Sequence, residues 1–372
     1  MKEWDAIVVG AGPAGCACAY DLAIRGRSVL LLDRAVFPRR KACAGGLTVK
    51  TLRALRYPVS PVVRCNVQKI HLERPGYAPM VVRSGKTICV MTVREELDAY
   101  CLRKTLEAGA SLQKIHSIQR IVRDARGVSV VTPEGEWRGR FLIGADGANS
   151  TVRRLIGDTG WFRRGFALEA HVVTGEQDTG LVFDFSPVEN GYGWVFPKGD
   201  HLNIGLYAAG PVLGMGRSKL ADYIAGRSGA GARVADFSGQ HLGFGAAGHS
   251  PAEDRVFLVG DAGGFADPLT GEGIYGAVVS GQAAASAVLS ALEHGVDAKE
   301  SFVALTAKLR ANLGLAERLA ASFYRQPENG LRAMRLPLVR SAVLRSYAEG
   351  FNLFRITKMV RRVFPSIAGE RG

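Results

Sequence analysis

The segment Ala6-Ile7-Val8-Val9-Gly10-Ala11-Gly12-Pro13-Ala14-Gly15, followed by Ser28-Val29-Leu30-Leu31-Leu32-Asp33, restricts this chain more than any other. A short unbroken apolar run reads as a strand buried on both faces. A glycine turn follows, then a helix of small residues, then a second buried strand that ends on an acid. Each residue type has a mechanical reason in a dinucleotide-binding βαβ unit. Gly10 lets the chain turn tightly, and Gly12 lets backbone approach a pyrophosphate. The start of the helix, Pro13 and Ala14, offers free N–H groups and a positive dipole end to that anion. Gly15 lets the helix lie close on the sheet. Asp33 accepts hydrogen bonds from ribose hydroxyls, with Arg34 beside it. A glycine-rich structural turn is the plainer reading, but strand, helix and acid all fall at the distances a nucleotide requires.

Two later stretches repeat the theme of a buried strand running into an acid and glycine. One is Phe141-Leu142-Ile143-Gly144-Ala145-Asp146-Gly147, and the other is Val256-Phe257-Leu258-Val259-Gly260-Asp261-Ala262-Gly263-Gly264. The second continues through Pro268-Leu269-Thr270-Gly271-Glu272-Gly273-Ile274 into a long helix of alanine, serine and valine. Three strand-end acids in this order resemble the FAD-dependent reductases and monooxygenases of the p-hydroxybenzoate hydroxylase group. That resemblance implies that FAD is bound tightly but not covalently. It implies that Gly10 lies at the ADP pyrophosphate, that Gly260 and Asp261 meet the ribityl chain, and that backbone from Pro268 through Gly271, Gly273 and Ile274 faces the flavin pyrimidine edge. Asp146 would serve both FAD and pyridine-nucleotide handling, and Arg94 is a further cofactor contact. The plainer reading of Asp261 is a helix cap.

The chain's 372 residues give room for two domains or one large domain with an insertion. Met1-Lys2-Glu3-Trp4-Asp5 runs straight into the first strand without a secretory pattern, and no run of about eighteen uninterrupted apolar residues occurs. The six cysteines follow no disulfide or zinc spacing, and the histidines no ligand spacing, so no metal site is expected. A reduced, cytoplasmic protein is the expectation. Charge is uneven: from Leu331 to Gly372 nine Lys or Arg face two acids, half of the net +14. Phe351, Phe354, Ile356, Met359, Val360, Val363 and Phe364 alternate there with Arg355, Lys358, Arg361 and Arg362. At helical spacing this sets an apolar stripe beside a cationic one, as in an interfacial helix on an anionic membrane surface. The competing readings are a helix docked on its own domain and a nucleic-acid surface, for which no motif is present.

The expected fold is α/β: a Rossmann-like FAD-binding domain with an inserted antiparallel-sheet substrate domain and a C-terminal helical region. Residues 1–65, 94–160 and 250–300 are assigned to the FAD domain, 66–93 and 161–249 to the substrate domain, and 301–372 to the helical region. The two strand-rich pieces are expected to join as one antiparallel sheet over the flavin, and Arg94 to Ala108 reads as an amphipathic helix. Oligomeric state is not legible.

Two motifs go further. They are Pro38-Arg39-Arg40-Lys41-Ala42-Cys43-Ala44-Gly45-Gly46 and Gly191-Tyr192-Gly193-Trp194-Val195-Phe196-Pro197-Lys198. With the Asp261 loop they resemble the geranylgeranyl reductase family, which saturates isolated double bonds of polyprenyl chains. The likeness covers most of Met1 to His294, and Ala44 departs from the family's usual glycine. It implies a reductase fed by NADPH or a reduced electron carrier, with Cys43, Ala44 and Gly45 beside the isoalloxazine. Cys43 is then the candidate proton donor, opposite a hydride from the flavin. An unperturbed thiol keeps its proton at neutral pH, and Lys41, Arg39 and Arg40 are the cations expected to tune it. Tyr192, Trp194 and Phe196 alternate on a strand and share a face, an aromatic wall suited to an isoprenoid, with Tyr192 an alternative proton source. Cys43 as packing and the rings as plain sheet core are the readings they compete with. An FAD monooxygenase or halogenase acting on a hydrophobic substrate, and a non-catalytic flavoprotein, are the other function classes.

Overall fold

A computed structural model describes residues 2–173, 180–211, 214–228 and 232–350. The chain opens with β1 (Glu3–Val9), α1 (Pro13–Ala23), β2 (Val29–Asp33), β3 (Gly46–Thr48) and α2 (Val49–Ala54). Then come β4 (Val63–Val67), β5 (Lys69–Glu73), β6 (Met80–Arg83), β7 (Cys89–Thr92) and α3 (Arg94–Glu107), the helix expected from Arg94. β8 (Ser111–Lys114), β9 (Arg120–Asp124), β10 (Gly127–Thr132) and β11 (Gly135–Gly144) lead to α4 (Thr151–Leu155). The next stretch holds β12 (Arg163–Val173), β13 (Leu181–Asp184), β14 (Gly191–Pro197), β15 (His201–Ala208), α5 (Arg217–Ser228) and β16 (Arg233–Phe244). Last are β17 (Ala252–Glu253), β18 (Val256–Leu258), α6 (Ile274–His294), α7 (Ala298–Arg325), α8 (Pro327–Met334) and α9 (Pro337–Glu349).

Two compact units share these elements. The first comprises Met1–Arg40, Glu95–Arg164 and His241–Leu313, and the second Lys41–Arg94, Gly165–Gln240 and the chain from Gly314 on. Residues 41–65 and the last helices thus go with the second unit, whereas the sequence assigned them to the FAD domain and to a separate helical region. Pairing explains this: β3 is hydrogen-bonded to β7, and Phe323 and Tyr347 of α7 and α9 pack their rings on Phe185 and Phe183.

In the first unit, β18, β11, β1, β2 and β8 lie side by side in that order, all parallel. Strands covered on both faces need continuous apolar runs, and Ile7, Val8, Leu31 and Leu32 are wholly buried. Parallel strands end at one common edge. That edge receives Gly10 after β1, Asp33 from β2, Asp146 after β11 and Asp261 after β18. β1 lies between β2 and β11, where the strand order reverses, the place where open α/β sheets bind ligands. Helix α1 packs on α6 at backbone distance: a Cβ on Gly281 would stand 2.3 Å from the Ala14 carbonyl oxygen. Helix α6 is long and apolar enough to cross a membrane by composition, which the sequence reading did not anticipate, but 61% of its most apolar window is buried inside the protein.

The second unit is built on a seven-stranded sheet, ordered β16-β12-β15-β14-β13-β5-β6. The expected antiparallel junction of the two strand-rich pieces is instead parallel, Leu181 opposite Ile70 and Phe183 opposite Leu72. No hairpin links these distant segments, so nothing in the connection demands antiparallel entry. The strand Cys89–Thr92 also departs from expectation: it lies between β3 and β4 in a separate three-stranded sheet. One face of the large sheet, with Leu168, Ala170, Val195, Ile204 and Leu206, packs on Leu220 and Ile224 of α5. The opposite face carries Tyr192, Trp194 and Phe196. Leu331, Val339 and Ala348 are buried, so α8 and α9 are docked helices. The stripe from Phe351 to Phe364 lies outside the described residues.

Candidate functional site

The nucleotide end of the first unit is shaped by glycine. Gly10 has φ +102°, and a Cβ there would meet the Ala145 carbonyl oxygen at 2.4 Å. A Cβ on Gly15 would lie 1.8 Å from the Gly10 carbonyl oxygen. Gly12 differs, because a Cβ there would meet only Arg39 Nη2, at 3.5 Å. Its missing side chain leaves room for a ligand rather than for the fold. Gly12 caps α1 without any side-chain acceptor, Pro13 opens the helix, and no acid occupies its first turn. The N–H groups of Ala14 and Gly15 are therefore left for an outside anion, that of Cys16 being the first to close on the helix, at Gly12 O. Asp33 steadies the turn: its carboxylate accepts from Ala11 N at 2.6 Å and Ala35 N at 2.8 Å. A carboxylate has about four acceptor positions, so ribose hydroxyls can still be bound. Arg34 is exposed.

Arg39 was expected to tune Cys43. Instead its guanidinium stands by Gly12 and pairs with Asp98 of α3 at 3.1 Å, whose carboxylate is fully buried. This cation beside Gly12 was missed because its anchor lies on a helix that sequence patterning marks only as amphipathic. Asp146 caps α4, accepting from Thr151 N at 2.6 Å, Val152 N at 3.1 Å and Ser150 Oγ at 2.5 Å, and burial pushes its carboxyl up.

At the far strand end, Gly260 (φ +57°) donates its N–H to Ser280 Oγ at 2.8 Å. Asp261 Oδ1 would lie 3.2 Å from a Cβ on Gly273, the residue that caps α6 without a side-chain acceptor. The Pro268–Gly271 loop is folded on Asp267: its Oδ1 accepts from Leu269 N and its carbonyl from Gly271 N, both at 2.8 Å. Gly271 has φ +67°. Gly273 and Ile274 thus open a second uncapped helix N-terminus. Arg153, not singled out by sequence, joins two strand ends by donating to Ala262 O (2.8 Å) and Ala148 O (2.9 Å). Its guanidinium stacks 3.3 Å from the Phe162 ring centre, and burial lowers its pKa to about 10. Two uncapped helix starts, a side-chain gap at Gly12 and the Asp33 carboxylate fit a nucleotide carrying a pyrophosphate and a second, extended half.

In the second unit, Cys43-Ala44-Gly45 is gripped group by group. Cys43 N donates to Glu169 Oε1 at 3.0 Å, and Gly45 N to Cys43 Sγ at 3.4 Å. Thr92 holds the Gly45 carbonyl through its N–H and hydroxyl, at 2.9 and 2.8 Å. Lys198 donates to the carbonyls of Ala44 and of Thr92, the latter at 2.7 Å. Gly45 has φ +65°, and a Cβ there would meet Thr92 O at 2.1 Å. Lys198 is 2% exposed; burial lowers its pKa to about 8, against the pull of Cys43 and Glu169. Burial raises the Glu169 carboxyl, while the Cys43 N–H, Asn203, Lys198 and Arg94 pull it back. Lys198 and Glu169 are the charges at Cys43 that sequence reasoning missed. The only signal was a lysine closing a buried strand, since Glu169 comes from a strand far along the chain.

The three alternating rings do share one sheet face, and all three are buried, as both the wall and the sheet-core readings allow. Tyr192, Trp194 and Phe196 are joined by Phe183, whose ring centre lies 5.2 Å from Tyr192 and 5.3 Å from Phe196. Trp194 Nε1 donates to Asn203 Oδ1 at 2.7 Å. Across the sheet from Trp194 stands Gly205, where a Cβ would be 2.2 Å from the indole, so glycine there makes room for the ring.

An FAD binding domain family model matches residues 3–174. An uncharacterised protein of Methanosarcina barkeri is 33% identical, over 80% of this chain and 77% of its own. A menaquinone reductase of Mycolicibacterium smegmatis is 30% identical, over 77% and 76%. A digeranylgeranylglycerophospholipid reductase of Methanopyrus kandleri is 28% identical, over 81% and 84%. The chain belongs to the geranylgeranyl reductase family of FAD-dependent oxidoreductases. A geranylgeranyl bacteriochlorophyll reductase-like protein of Thermoplasma acidophilum has the same fold, with TM-score 0.84 at 19% identity over 99% of this chain and 98% of that one. The flavin-dependent brominase Bmp2 shares the fold too, with TM-score 0.81 at 19% identity over 99% of both chains. The protein is accordingly a flavin-dependent oxidoreductase with an FAD-binding domain, and the glycine cradle and uncapped helix starts fit that cofactor.

Proposed function

We propose that this enzyme saturates carbon–carbon double bonds of a polyprenyl substrate of the geranylgeranyl type. The observation that carries the reading is the coexistence, in one unit, of the Cys43 loop gripped by Lys198 and Glu169 and a sheet face of Phe183, Tyr192, Trp194 and Phe196. Relatives named for a menaquinone and a digeranylgeranylglycerophospholipid support it, because both compounds carry an isoprenoid chain. In this reading Gly12 and the start of α1 hold the pyrophosphate, Asp33 the ribose, and the Asp261 loop the remainder of the cofactor. When bound and reduced, FAD would supply the hydride for one alkene carbon. Cys43 gives its thiol proton to the other. The rings bind the chain by burial of apolar area and exclude water. The Gly45 N–H bond to Sγ and the buried ammonium of Lys198 stabilise the sulfur as it gains charge. NADPH or a reduced electron carrier is the proposed reductant.

The proposed place of work is the cytoplasmic membrane face, where polyprenyl lipids reside. At the junction of α8 and α9, Leu338 is 76% exposed and flanked by Arg335 and Arg340, and the basic, apolar stretch from Phe351 follows in sequence. The test of function is anaerobic: reduce the protein, add a geranylgeranyl lipid, and follow flavin oxidation together with product mass. Gain of two hydrogens per bond is expected. Product formed only with oxygen, carrying a hydroxyl or a halogen, would favour the monooxygenase or halogenase reading that shares this fold.

A further inference from the structure

The aromatic face of the second unit's sheet changes character across its width. Rings fill it on β13 and β14 and reach β15 at Tyr207, 5.1 Å from Tyr192, but beyond Tyr207 and Gly205 the face of β12 and β15 is polar. Glu169 pairs with Gly205, which pairs with Trp194; His171 pairs with Asn203, which pairs with Phe196. Side chains two apart on a strand share a face, so Glu169, His171, His201 and Asn203 form one patch beside the rings. Three atoms of that patch, Glu169 Oε2, Asn203 Nδ2 and His201 Nε2, are buried without a hydrogen-bond partner among the described residues. The other polar atom of each is engaged. Glu169 Oε1 accepts from Cys43 N (3.0 Å), Asn203 Oδ1 from Trp194 (2.7 Å), and His201 Nδ1 meets Asp200 Oδ1 at 2.7 Å. His171 stacks on His201 at 4.7 Å and approaches Asp236 at 3.9 Å. Asn203 Nδ2 stands near enough to Glu169 to favour its carboxylate without forming a well-aligned hydrogen bond, and these three side chains, held at one end and open at the other, form a row that ordered water would complete. The row starts in solvent, since the Asp200 side chain is 72% exposed, and ends at the Cys43 loop.

Each saturated double bond consumes a proton in addition to the hydride. A prenyl chain brings none, and a wall of rings admits little water. We propose that Glu169, with water held between Asn203 and His201, carries the proton that reloads Cys43 after each turnover, an inference that rests on the reductase reading above. The Cys43 S–H bond breaks as its proton goes to the alkene carbon, and the sulfur keeps the electron pair. The Glu169 O–H bond then breaks, its proton passes to the sulfur, and the carboxylate recovers a proton from solvent through the His201–Asp200 end. No electrons pass along the row. Burial favours the protonated acid that this role needs, and the groups opposing it are the Cys43 N–H, Asn203, Lys198 and Arg94.

The test compares wild type with Glu169→Gln, which keeps an acceptor for Cys43 N–H, and with His201→Phe, which keeps the ring but loses Nε2. Alkene saturation is measured against pH in H2O and D2O, alongside the infrared carboxyl band of the protein without substrate. Glu169→Gln is expected to slow saturation by about 10-fold or more, with FAD binding unchanged, and to remove a protonated-carboxyl band that persists above the ordinary glutamate range. His201→Phe is expected to slow the reloading step and raise the solvent isotope effect, because proton delivery then limits turnover. Wild-type rates and pH profiles in both variants would overturn the inference while leaving the reductase reading intact. An ionised Glu169 throughout the pH range would overturn it whatever the substrate. Failure of wild type to saturate any prenyl lipid would count against the reductase reading alone, and the infrared band would still decide the state of Glu169.

Discussion

Lys198 donates from Nζ to the carbonyl oxygen of Thr92 at 2.7 Å, from a side chain almost wholly out of water. A buried ammonium is costly unless carbonyls and carboxylates surround it. Here they are Ala44 O of the Cys43 loop, Thr92 O of β7 and the nearby Glu169 carboxylate, so charge and loop geometry are tied together.

That tie has a pH signature. The pKa of Lys198 is lowered from 10.5 to about 8 by burial. Between those values the unfolded chain binds more protons than the folded one, so stability rises with pH across that window and is flat with respect to this group below it. The full span corresponds to about 3 kcal/mol. Denaturant unfolding of wild type and Lys198→Met from neutral pH to the upper end of the window should show this rise in wild type and its loss in the variant. Parallel curves would mean that Lys198 is not buried as a cation.

Gly12 separates folding from binding. Gly12→Ala should fold normally, because a Cβ there meets only Arg39 at ordinary contact distance. It should lose FAD by about 100-fold, roughly 3 kcal/mol, since the methyl enters pyrophosphate space. Gly15→Ala should instead fail to fold, because its Cβ would collide with the Gly10 carbonyl. Thermal melts and flavin titration of both variants distinguish the two effects, and retention of yellow Gly12→Ala protein would refute the cradle.

Cys43→Ser tests the proton donor. FAD binding and flavin reduction should survive, while alkene saturation falls by ~10² or more, the scale of a lost general acid. Unchanged turnover would return Cys43 to a packing role and leave Tyr192 or water as the donor.

The membrane expectation now needs a later cut than Leu331, because α8 and α9 are packed, with Leu331 and Val339 buried and Tyr347 against Phe183. A chain ending at Gly350 keeps those helices and removes five Lys or Arg and three phenylalanines. Full-length protein should co-sediment with anionic vesicles at low salt and release at high salt, each basic residue contributing roughly 1 kcal/mol near the surface. The shortened chain should bind more weakly. Equal sedimentation of both would place any membrane contact elsewhere, the exposed Leu338 region being the first candidate.

Local order by itself determined the βαβ start, the three strand-end acids, helix α3 and the alternating rings of Tyr192, Trp194 and Phe196. Each of these is written in neighbouring residues: a period of two, an unbroken apolar run, a glycine where a Cβ cannot fit. The tertiary structure alone decided what surrounds Cys43. Glu169 lies 126 residues from it, and Lys198 lies 154 residues from Ala44. Glu169 carries no local pattern that distinguishes it from a surface charge, and Lys198 only its place directly after a buried strand. The same holds for Asp98 beneath Arg39, for Arg153 between two strand ends, and for the parallel entry of β5 beside β13. Burial and pairing of polar groups depend on which strands become neighbours. Hydrophobic periodicity fixes which face of a strand is covered but not which partner covers it.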